Sequence, residues 1–258
     1  MKTFGIIAVG DELVDGRKHD TNSSWISKKC INLGFICTKK ITVSDSKKEI
    51  IDALSFLKDN EYIFITGGLG PTHDDLTRES VASFINEELE VDDAALEVLK
   101  EKLKIDGRLV SNSNLQQAMK PASGIVLENK FGTAPGMYVN KKNFPIIISL
   151  PGPPSELIPM FENFVLSKLT KFSDDSSLHT QEVRAWGIAE SNAGDLLNEI
   201  IHKYELDNIN ILSSPKNGLA AYISKFGSNN EKEIVKKISL ELEQKWSPWS
   251  FRSSNLFH

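Results

Sequence analysis

The apolar run Tyr62–Thr66 leads directly into the glycine-rich segment 67–71, and this junction constrains the fold more than any other part of the sequence. Aromatic and β-branched residues that end at a glycine are typical of a buried strand followed by a turn. Two similar apolar runs, 4–9 and 35–43, come earlier, and a helical pattern separates each strand from the next. This alternation predicts an α/β domain with a mainly parallel sheet and crossover helices.

The helices are predicted from apolar residues at helical spacing. Ile26, Cys30 and Leu33 stand at i, i+4 and i+7, which predicts a helix that is closed by Gly34. The further elements predicted up to residue 170 are a helix with Ile50, Leu54 and Leu57 capped by Ser46, a helix with Ala95, Leu96, Leu99 and Leu103, a strand Ile146–Leu150, and a helix that opens near Ser155.

The composition changes after residue 172. Residues 173–177 are polar, acidic and serine-rich, which is typical of a linker. The remaining residues alternate between short strand and helix patterns, with a strand at 182–186 and a turn at 215–218, and they predict a small α+β module. The predicted organisation is therefore a first domain at 1–172, a linker at 173–178 and a second domain at 179–258.

Charge and hydropathy restrict the classes of function. The formal net charge is −5, which argues against a basic nucleic-acid-binding face. The longest apolar runs fall far short of the roughly 18 residues that a membrane span needs, and the first one reads as a strand rather than as a signal peptide. Cys30 and Cys37 form no metal-binding motif and are expected to be reduced thiols. We expect a cytoplasmic protein that binds neither nucleic acid nor membrane.

The glycine-rich loop at 67–75 is the strongest candidate for a binding site. Glycines let backbone N–H groups approach an anion, and the helix that follows directs its positive end to the same place. Asp74 and Asp75 would repel a phosphate, but they suit a divalent cation placed between them and the phosphate. The alternative is an ordinary glycine turn in which Asp75 is an acid of the first helical turn.

Other polar loops are expected at the same edge of the sheet, because ligands of parallel sheets bind beyond the carboxyl ends of the strands. Gly10, Asp11 and Glu12 follow the first strand, and Glu156 follows the strand that ends at Leu150. Another loop, 132–136, has two glycines around a hydroxyl. Each of these segments can instead be a plain turn or helix start.

Six segments resemble the CinA family, and they occur in the family's order. They are GDELVDG-x3-DTN at 10–22, VSD at 43–45, TGGLGPTHDDLT at 66–77, SNLQQAMKP at 113–121, NKFGTAPGM at 129–137 and PGPPSE at 151–156. The shorter pattern TGG-x-G-x4-D-x-T is shared with MoaB, MogA and gephyrin-like domains that handle molybdopterin. The resemblance implies a three-layer α/β/α fold of the MoaB/MogA type over residues 1–172.

The resemblance also implies an activity. CinA-type domains are associated with hydrolysis of ADP-ribose to AMP and ribose 5-phosphate, and related domains with hydrolysis of FAD. Both depend on a divalent cation such as Mg, Mn or Co, and potassium (K+) can help. In the MoaB and MogA branch the same crevice binds molybdopterin, which an aspartate matching Asp75 helps to adenylylate. Pterin binding, adenylyl transfer and a non-catalytic ligand sensor are the alternatives to hydrolysis.

The matched positions give the expected site. Asp75, Glu12 and Glu156 are the predicted catalytic residues, and Asp45, Asp74, Asp75 and Glu12 are the predicted metal ligands. The predicted substrate contacts are Gly10, Asp11, Asp20, Thr21, Asn22, Gly67, Gly68, Gly70, Thr72, Thr77, Asn114, Gln117, Gly132, Thr133, Gly136, Pro151 and Gly152.

The second domain resembles the KH-type module of CinA through EVRAWGIAESNAGDLL at 182–197. RNA binding is not expected from it, because the turn at 215–218 lacks a GXXG loop. The nicotinamide-nucleotide amidase domain of long CinA forms is expected to be absent, and Lys130 replaces a usual proline. The resemblance and the aromatic residues Trp249 and Phe251 predict a homodimer.

Overall fold

The computed structural model describes residues 2–105, 107, 111–170, 177–204, 209–214, 218–247 and 249–251. The chain divides into two compact units, Met1–Phe172 and Ser173–His258. Within the described residues, no helix has the length and apolar character needed to cross a bilayer.

The first unit contains most of the predicted strands and helices together with several short ones. In chain order its elements are β1 (Thr3–Val9), α1 (Asp11–Val14), α2 (Asn22–Asn32), β2 (Ile36–Val43), α3 (Lys47–Phe56), β3 (Tyr62–Thr66), α4 (Thr77–Phe84), β4 (Leu89–Val91), α5 (Asp93–Ile105), α6 (Asn112–Gln117), β5 (Met119–Pro121), β6 (Gly124–Leu127), β7 (Gly136–Val139), β8 (Ile146–Leu150), α7 (Pro154–Met160), a π-helical turn (Phe161–Val165) and α8 (Leu166–Thr170).

The main sheet has six strands in the order β2-β1-β3-β8-β7-β6. The four strands from β2 to β8 run parallel, β7 runs antiparallel to β8, and β6 runs antiparallel to β7. The carboxyl ends of the parallel strands therefore meet at one edge, which is where Gly10, Asp45, Gly67 and Pro151 follow them. β4 and β5 pair separately as a two-stranded ribbon.

Alternate residues of the strands pack on opposite faces of the sheet. On one face Phe4, Phe64 and Ile148 contact α2 and the α7–α8 segment, with Phe64 and Phe161 at 5.9 Å between ring centroids. On the other face Ile7, Ile63 and Ile147 belong to the core that Ile50 and Leu54 of α3 and Val81 of α4 complete. Two helical layers around one sheet confirm the predicted three-layer α/β/α fold.

Sequence reasoning was accurate for the buried strands but incomplete elsewhere. The strands Tyr62–Thr66 and Ile146–Leu150 have the predicted bounds, whereas β4 to β7 are three or four residues long and were not predicted. The last helix of the unit opens at Pro154, and it does not continue as a regular α-helix. Pro159 lies inside it and lacks an N–H, and a π-helical turn follows.

The described residues of the second unit form an antiparallel sheet with two helices. Its elements are β9 (Ser177–Ala185), α9 (Glu190–Tyr204), β10 (Ile209–Ser214), β11 (Gly218–Gly227), α10 (Asn229–Trp246) and β12 (Ser250–Phe251). The strand order is β10-β11-β9-β12. Val183, Leu197, Ile223 and Ile238 are in its core together with the fully buried Trp246. β9 begins at Ser177, so the strand includes the last two residues of the predicted linker, while 173–176 and 215–217 lie outside the described residues.

Candidate active site

A cleft of about 370 Å³ lies at the carboxyl edge of the parallel strands. It is built from loops that follow four strands and from the segment before β7, so the topology brings together residues far apart in sequence. The predicted site residues that line it are Gly10, Glu12, Asp45, Gly67, Gly68, Gly70, Thr72, Asp74, Asp75, Gln117, Thr133, Pro151, Gly152 and Glu156.

The first glycines of the loop are required by its geometry. Gly67 has φ +99° and Gly68 has φ +64°, conformations that L side chains rarely adopt. A Cβ at Gly67 would lie 2.3 Å from the Val9 carbonyl oxygen. Thr77 holds the loop from below, since its buried Oγ1 donates to the Gly67 carbonyl at 2.8 Å. Thr77 is thus a support of the loop and does not line the cleft.

Three consecutive N–H groups in this loop are free to bind a ligand. Among the described residues, the backbone N–H groups of Gly68, Leu69 and Gly70 donate to no protein acceptor, whereas that of Gly67 donates to Leu150 O at 3.0 Å. Unpaired backbone donors next to the start of a helix form an anion-binding arrangement. The loop therefore offers donors for a phosphate.

Gln117 adds a donor from a different element. Its side chain is fully buried and lines the cleft, and its Oε1 accepts from Asn114 Nδ2 at 3.2 Å. Its Nε2 has no hydrogen-bond partner among the described residues. Because a buried unpaired amide donor costs about 1–3 kcal/mol, a ligand oxygen that accepts from Nε2 would gain this energy.

Arg78 joins two walls of the cleft from beneath. The buried guanidinium donates to Leu69 O at 2.7 Å and to Pro135 O at 2.8 Å. Burial lowers the pKa of Arg78 to about 10, and the nearby Asp75 opposes this change. The side chain therefore stays positively charged at neutral pH, and its charge lies beside the glycine-rich loop.

Carboxylates from the first two strand ends face the glycine loop. Asp11 and Asp45 are linked reciprocally: Asp11 N donates to Asp45 Oδ2 at 2.8 Å, and Asp45 N donates to Asp11 Oδ1 at 3.1 Å. Burial raises the pKa of Asp45, and the carboxylates of Asp11, Asp74 and Glu12 add to this increase. Hydrogen bonds from its own backbone N–H and from Lys18, which is 3.1 Å away, lower the pKa of Glu12.

Asp75 is bound to its own loop. Its Oδ2 accepts from Thr72 N at 2.8 Å and from Thr72 Oγ1 at 2.5 Å. A Cβ at Gly70 would lie 2.5 Å from the same oxygen, so glycine is needed there for Asp75 to take this position. Asp75 is thus fixed beside the free N–H groups.

Glu156 is oriented by the segment before β7. Its Oε2 accepts from the buried Asn129 Nδ2 at 2.6 Å. Asn129 Oδ1 in turn accepts from Phe131 N and Gly132 N, and Lys102 donates to the carbonyl groups of Asn129 and Gly132. One oxygen of Glu156 is left without a protein donor among the described residues.

Several predicted substrate contacts lie outside the cleft lining and have structural partners. Asn22 Nδ2 donates to Thr66 Oγ1 at 2.8 Å and to Gly152 O at 2.7 Å, so it fastens two strand ends. Asp20 Oδ1 accepts from Ser23 N at the start of α2. Gly136 is buried in β7 against Met160. Four more predicted contacts do not line the cleft, namely Thr21, Asp11, Asn114 and Gly132. Asp11, Asn114 and Gly132 nevertheless contact residues that line it.

The ligand atoms of the cleft suit a divalent cation only in part. The cleft contains only hard oxygen ligands, which suit Mg²⁺ or Mn²⁺. In the part of the chain that the structure describes, no group of three or more His, Cys, Asp or Glu residues is placed to hold a metal ion. The residues therefore fit a cation held by one or two carboxylates and completed by the phosphates of a substrate.

Sequence reasoning missed the structural shell of the site. Arg78, Asn129 and Lys102 support the loops, and Leu69, Pro71, Ala134 and Pro153 line the cleft. Asn129 is the first residue of the family-like segment 129–137, whereas Arg78 lies one residue beyond the segment 66–77 and had no signal in the sequence, because its partner Pro135 is distant along the chain.

Comparison with known proteins places the chain in a family. A profile described as "Probable molybdopterin binding domain" matches residues 5–171. A "Putative competence-damage inducible protein" of Clostridium botulinum (strain Kyoto / Type A2) is 38% identical over 202 residues, which is 77% of this chain and 48% of that protein. The crystal structure of CinA from Thermoplasma acidophilum, a protein with unknown function, matches with a TM-score of 0.61 at 31% identity and covers 64% of this chain and 97% of that one. The chain belongs to the CinA-like family.

The CinA-like assignment covers the first unit and its cleft. A "CinA-like protein" of Kosmotoga olearia is 37% identical over 214 residues, 83% of this chain and 51% of its own length. The chain thus spans about half the length of these relatives. The expected molybdopterin-binding domain is confirmed, while the KH-type reading of the second unit and the absence of an amidase domain stay predictions.

Proposed function

We propose that this CinA-like domain hydrolyses the pyrophosphate bond of a nucleotide with the help of a divalent cation, and that ADP-ribose is its substrate. The products are AMP and ribose 5-phosphate. The cleft supports this proposal by one observation above all: the free N–H groups at 68–70 lie in the same cleft as the carboxylates of Glu12, Asp45, Asp74 and Glu156. Donors bind the anion, and acids are what a cation and a reacting water require.

The reaction follows from these groups. A water oxygen forms a bond to one phosphorus, the bridging P–O bond breaks, and the leaving phosphate takes the bond's electron pair. The loop N–H groups bind non-bridging oxygens and stabilise their growing charge. Glu156 receives the proton of the water, because Asn129 fixes its orientation and leaves one oxygen free.

Asp45 and Asp74 would hold the cation, since both carboxylates line the cleft together with the glycine loop. A bound divalent cation neutralises phosphoryl charge and lowers the pKa of water. Without such a cation the carboxylates would repel a diphosphate. We therefore expect binding of the diphosphate to be weak when divalent cations are removed with a chelator.

Two other functions use the same cleft. FAD carries the same kind of diphosphate and is the second candidate substrate. Molybdopterin binding or adenylyl transfer is compatible with the family description of residues 5–171. A non-catalytic sensor would bind these ligands without turnover.

The test is release of AMP from ADP-ribose, FAD, NAD and ATP, with magnesium, manganese or cobalt and with potassium present. Asp75→Asn is compared with Asp52→Asn, an exposed acid of α3 outside the cleft. We expect AMP from ADP-ribose, and no change in Asp52→Asn. Asp75→Asn should lose about a hundredfold or more in rate, because the Asp75 carboxylate accepts from Thr72 N and Oγ1 and thereby fixes the loop whose N–H groups bind the phosphate. No turnover of any dinucleotide with any of these metals would refute hydrolysis, and tightly retained pterin would then favour the pterin function.

A further inference from the structure

A second pocket lies next to the acidic cleft of the first unit. It has a volume of about 340 Å³, within the range of small-molecule sites. We call it the α5–β6 pocket; its lining residues are Asp92, Ala94, Ala95, Val98, Leu99 and Lys102 from the start and body of α5, Ile125, Val126 and Glu128 from β6 and its end, and Asn129, Thr133 and Pro135 from the next loop.

Apolar side chains in this pocket are open to solvent. Val98 of α5 is 40% exposed and Ile125 of β6 is 54% exposed, although both line a concave surface. Leu99, the neighbour of Val98, is buried beneath them with Leu103 and Ala118. A flat apolar group that entered the pocket would remove these two side chains from water.

The pocket and the acidic cleft share one lining residue. Thr133 lines both spaces. The segment that carries Thr133 is held in place by Asn129, whose side chain binds the Gly132 N–H at 2.9 Å, and by Lys102, which donates to Gly132 O at 3.0 Å. The two spaces therefore adjoin at Thr133, which places the pocket beside the proposed diphosphate site.

The polar groups of the pocket select the type of ligand. Lys102 is occupied by two backbone carbonyls, so it is not free to bind an anion. The carboxylates present are Asp92, which accepts from Ala95 N at 2.9 Å, and Glu128, which has no hydrogen-bond or ion-pair partner among the described residues. Apolar walls and a free carboxylate suit a flat ring with an exocyclic amino group, and they disfavour a phosphate.

We propose that the α5–β6 pocket binds the amino-substituted heteroaromatic ring of the nucleotide whose diphosphate occupies the acidic cleft. This inference rests on the proposed function for the identity of the ligand. It assigns Val98 and Ile125 to contact with the ring faces and Glu128 to acceptance of a hydrogen bond from the amino group. The pocket thereby selects 6-aminopurine over 6-oxopurine nucleotides.

The test measures binding, without a need for turnover. Calorimetry with AMP, IMP and ribose 5-phosphate is carried out on the full chain, on Val98→Arg and on Glu128→Gln. Val91→Arg is the matched control, because Val91 is similarly exposed, at 46%, and does not line the pocket. Sedimentation velocity of each variant reports the oligomeric state.

We expect Val98→Arg to weaken AMP binding about tenfold or more, while ribose 5-phosphate binding and the Val91→Arg control stay unchanged. Glu128→Gln should reduce the preference for AMP over IMP. If Val98→Arg binds AMP as tightly as the unmodified chain, or if the unmodified chain does not bind AMP, the inference is wrong. A change of Val98→Arg from dimer to monomer at unchanged AMP affinity would also overturn it, and would show that a second copy covers this surface.

The two proposals fail separately. Selective loss of AMP binding in Val98→Arg without any hydrolysis of ADP-ribose would support the pocket and refute the hydrolase. Hydrolysis of ADP-ribose with the same KM in Val98→Arg would support the hydrolase and refute the pocket.

Discussion

The substitution Gly132→Ala should displace the carboxylate of Glu156 without removing its charge. Gly132 has no positive φ, so alanine is permitted there by the backbone. Its Cβ would lie 2.3 Å from Glu156 Oε2 and 2.5 Å from Cδ, far inside the ordinary contact range. The carboxylate must therefore move by about 1 Å, which breaks its 2.6 Å hydrogen bond from Asn129.

The magnitude follows from that bond. A hydrogen bond to a charged group contributes about 1.5–3 kcal/mol, so Gly132→Ala should lower Tm by roughly 3–12 °C. A displacement of about 1 Å of a reacting group costs roughly a hundredfold in rate. We expect Gly132→Ala to lower both the Tm, measured by calorimetric melting, and the rate of AMP release from ADP-ribose.

Two comparisons make this prediction refutable. Glu156→Gln keeps the size and the Asn129 contact, so it should lose activity at nearly unchanged Tm. Gly194→Ala adds a methyl group in α9 where no atom lies within 4 Å, and it should leave activity unchanged. If Gly132→Ala retains both Tm and activity, Glu156 is not held by Asn129 in the way described.

Two further changes test the fold around the cleft. Gly67→Ala places a side chain at φ +99° and against the backbone oxygen of Val9. It should lower the free energy of unfolding by more than about 1–2 kcal/mol, measured by chemical unfolding. An unchanged free energy of unfolding would contradict the loop conformation. Glu87 accepts from Ser123 N and Oγ at 3.0 Å and pairs with Lys141 at 3.2 Å. These contacts lower the pKa of Glu87 from 4.5, and the hydrogen bond from Ser123 N has the largest effect. A lowered folded-state pKa gives stability that is present above 4.5 and is lost as the pH falls through the folded pKa. Melting temperatures from about pH 3 to 6 should therefore fall more steeply for the unmodified chain than for Glu87→Gln, and parallel curves would show that the contacts do not matter.

The sequence predicts the central strands well for a physical reason. Strands buried on both faces, such as Tyr62–Thr66, are continuous apolar runs, and a turn residue ends them. The short strands β4 to β7 lack this signal, because three or four half-buried residues show neither a long run nor a clear alternation. Their pairing depends on partners that the local sequence does not identify.

The residues of the site also fall into a group that local sequence patterns predict and a group that they do not. The family-like segments identified most residues that line the cleft, because glycines and acids in loops leave a local pattern. The acceptors of Arg78 could not be assigned, since Pro135 lies 57 residues away. The unpaired amide nitrogen of Gln117 could not be predicted from the sequence either, because burial and a missing partner are properties of the packed molecule.

The bridge made by Arg78 has a consequence for how a ligand is received. One guanidinium holds Leu69 in the glycine loop and Pro135 in the segment before β7, so the distance between these two segments is set when the domain folds. A ligand then enters a gap of fixed width and loses little additional chain freedom of the protein on binding. Discrimination in such a gap depends on ligand shape, so bulky analogues should be rejected by slow or absent association rather than accommodated by opening of the loops.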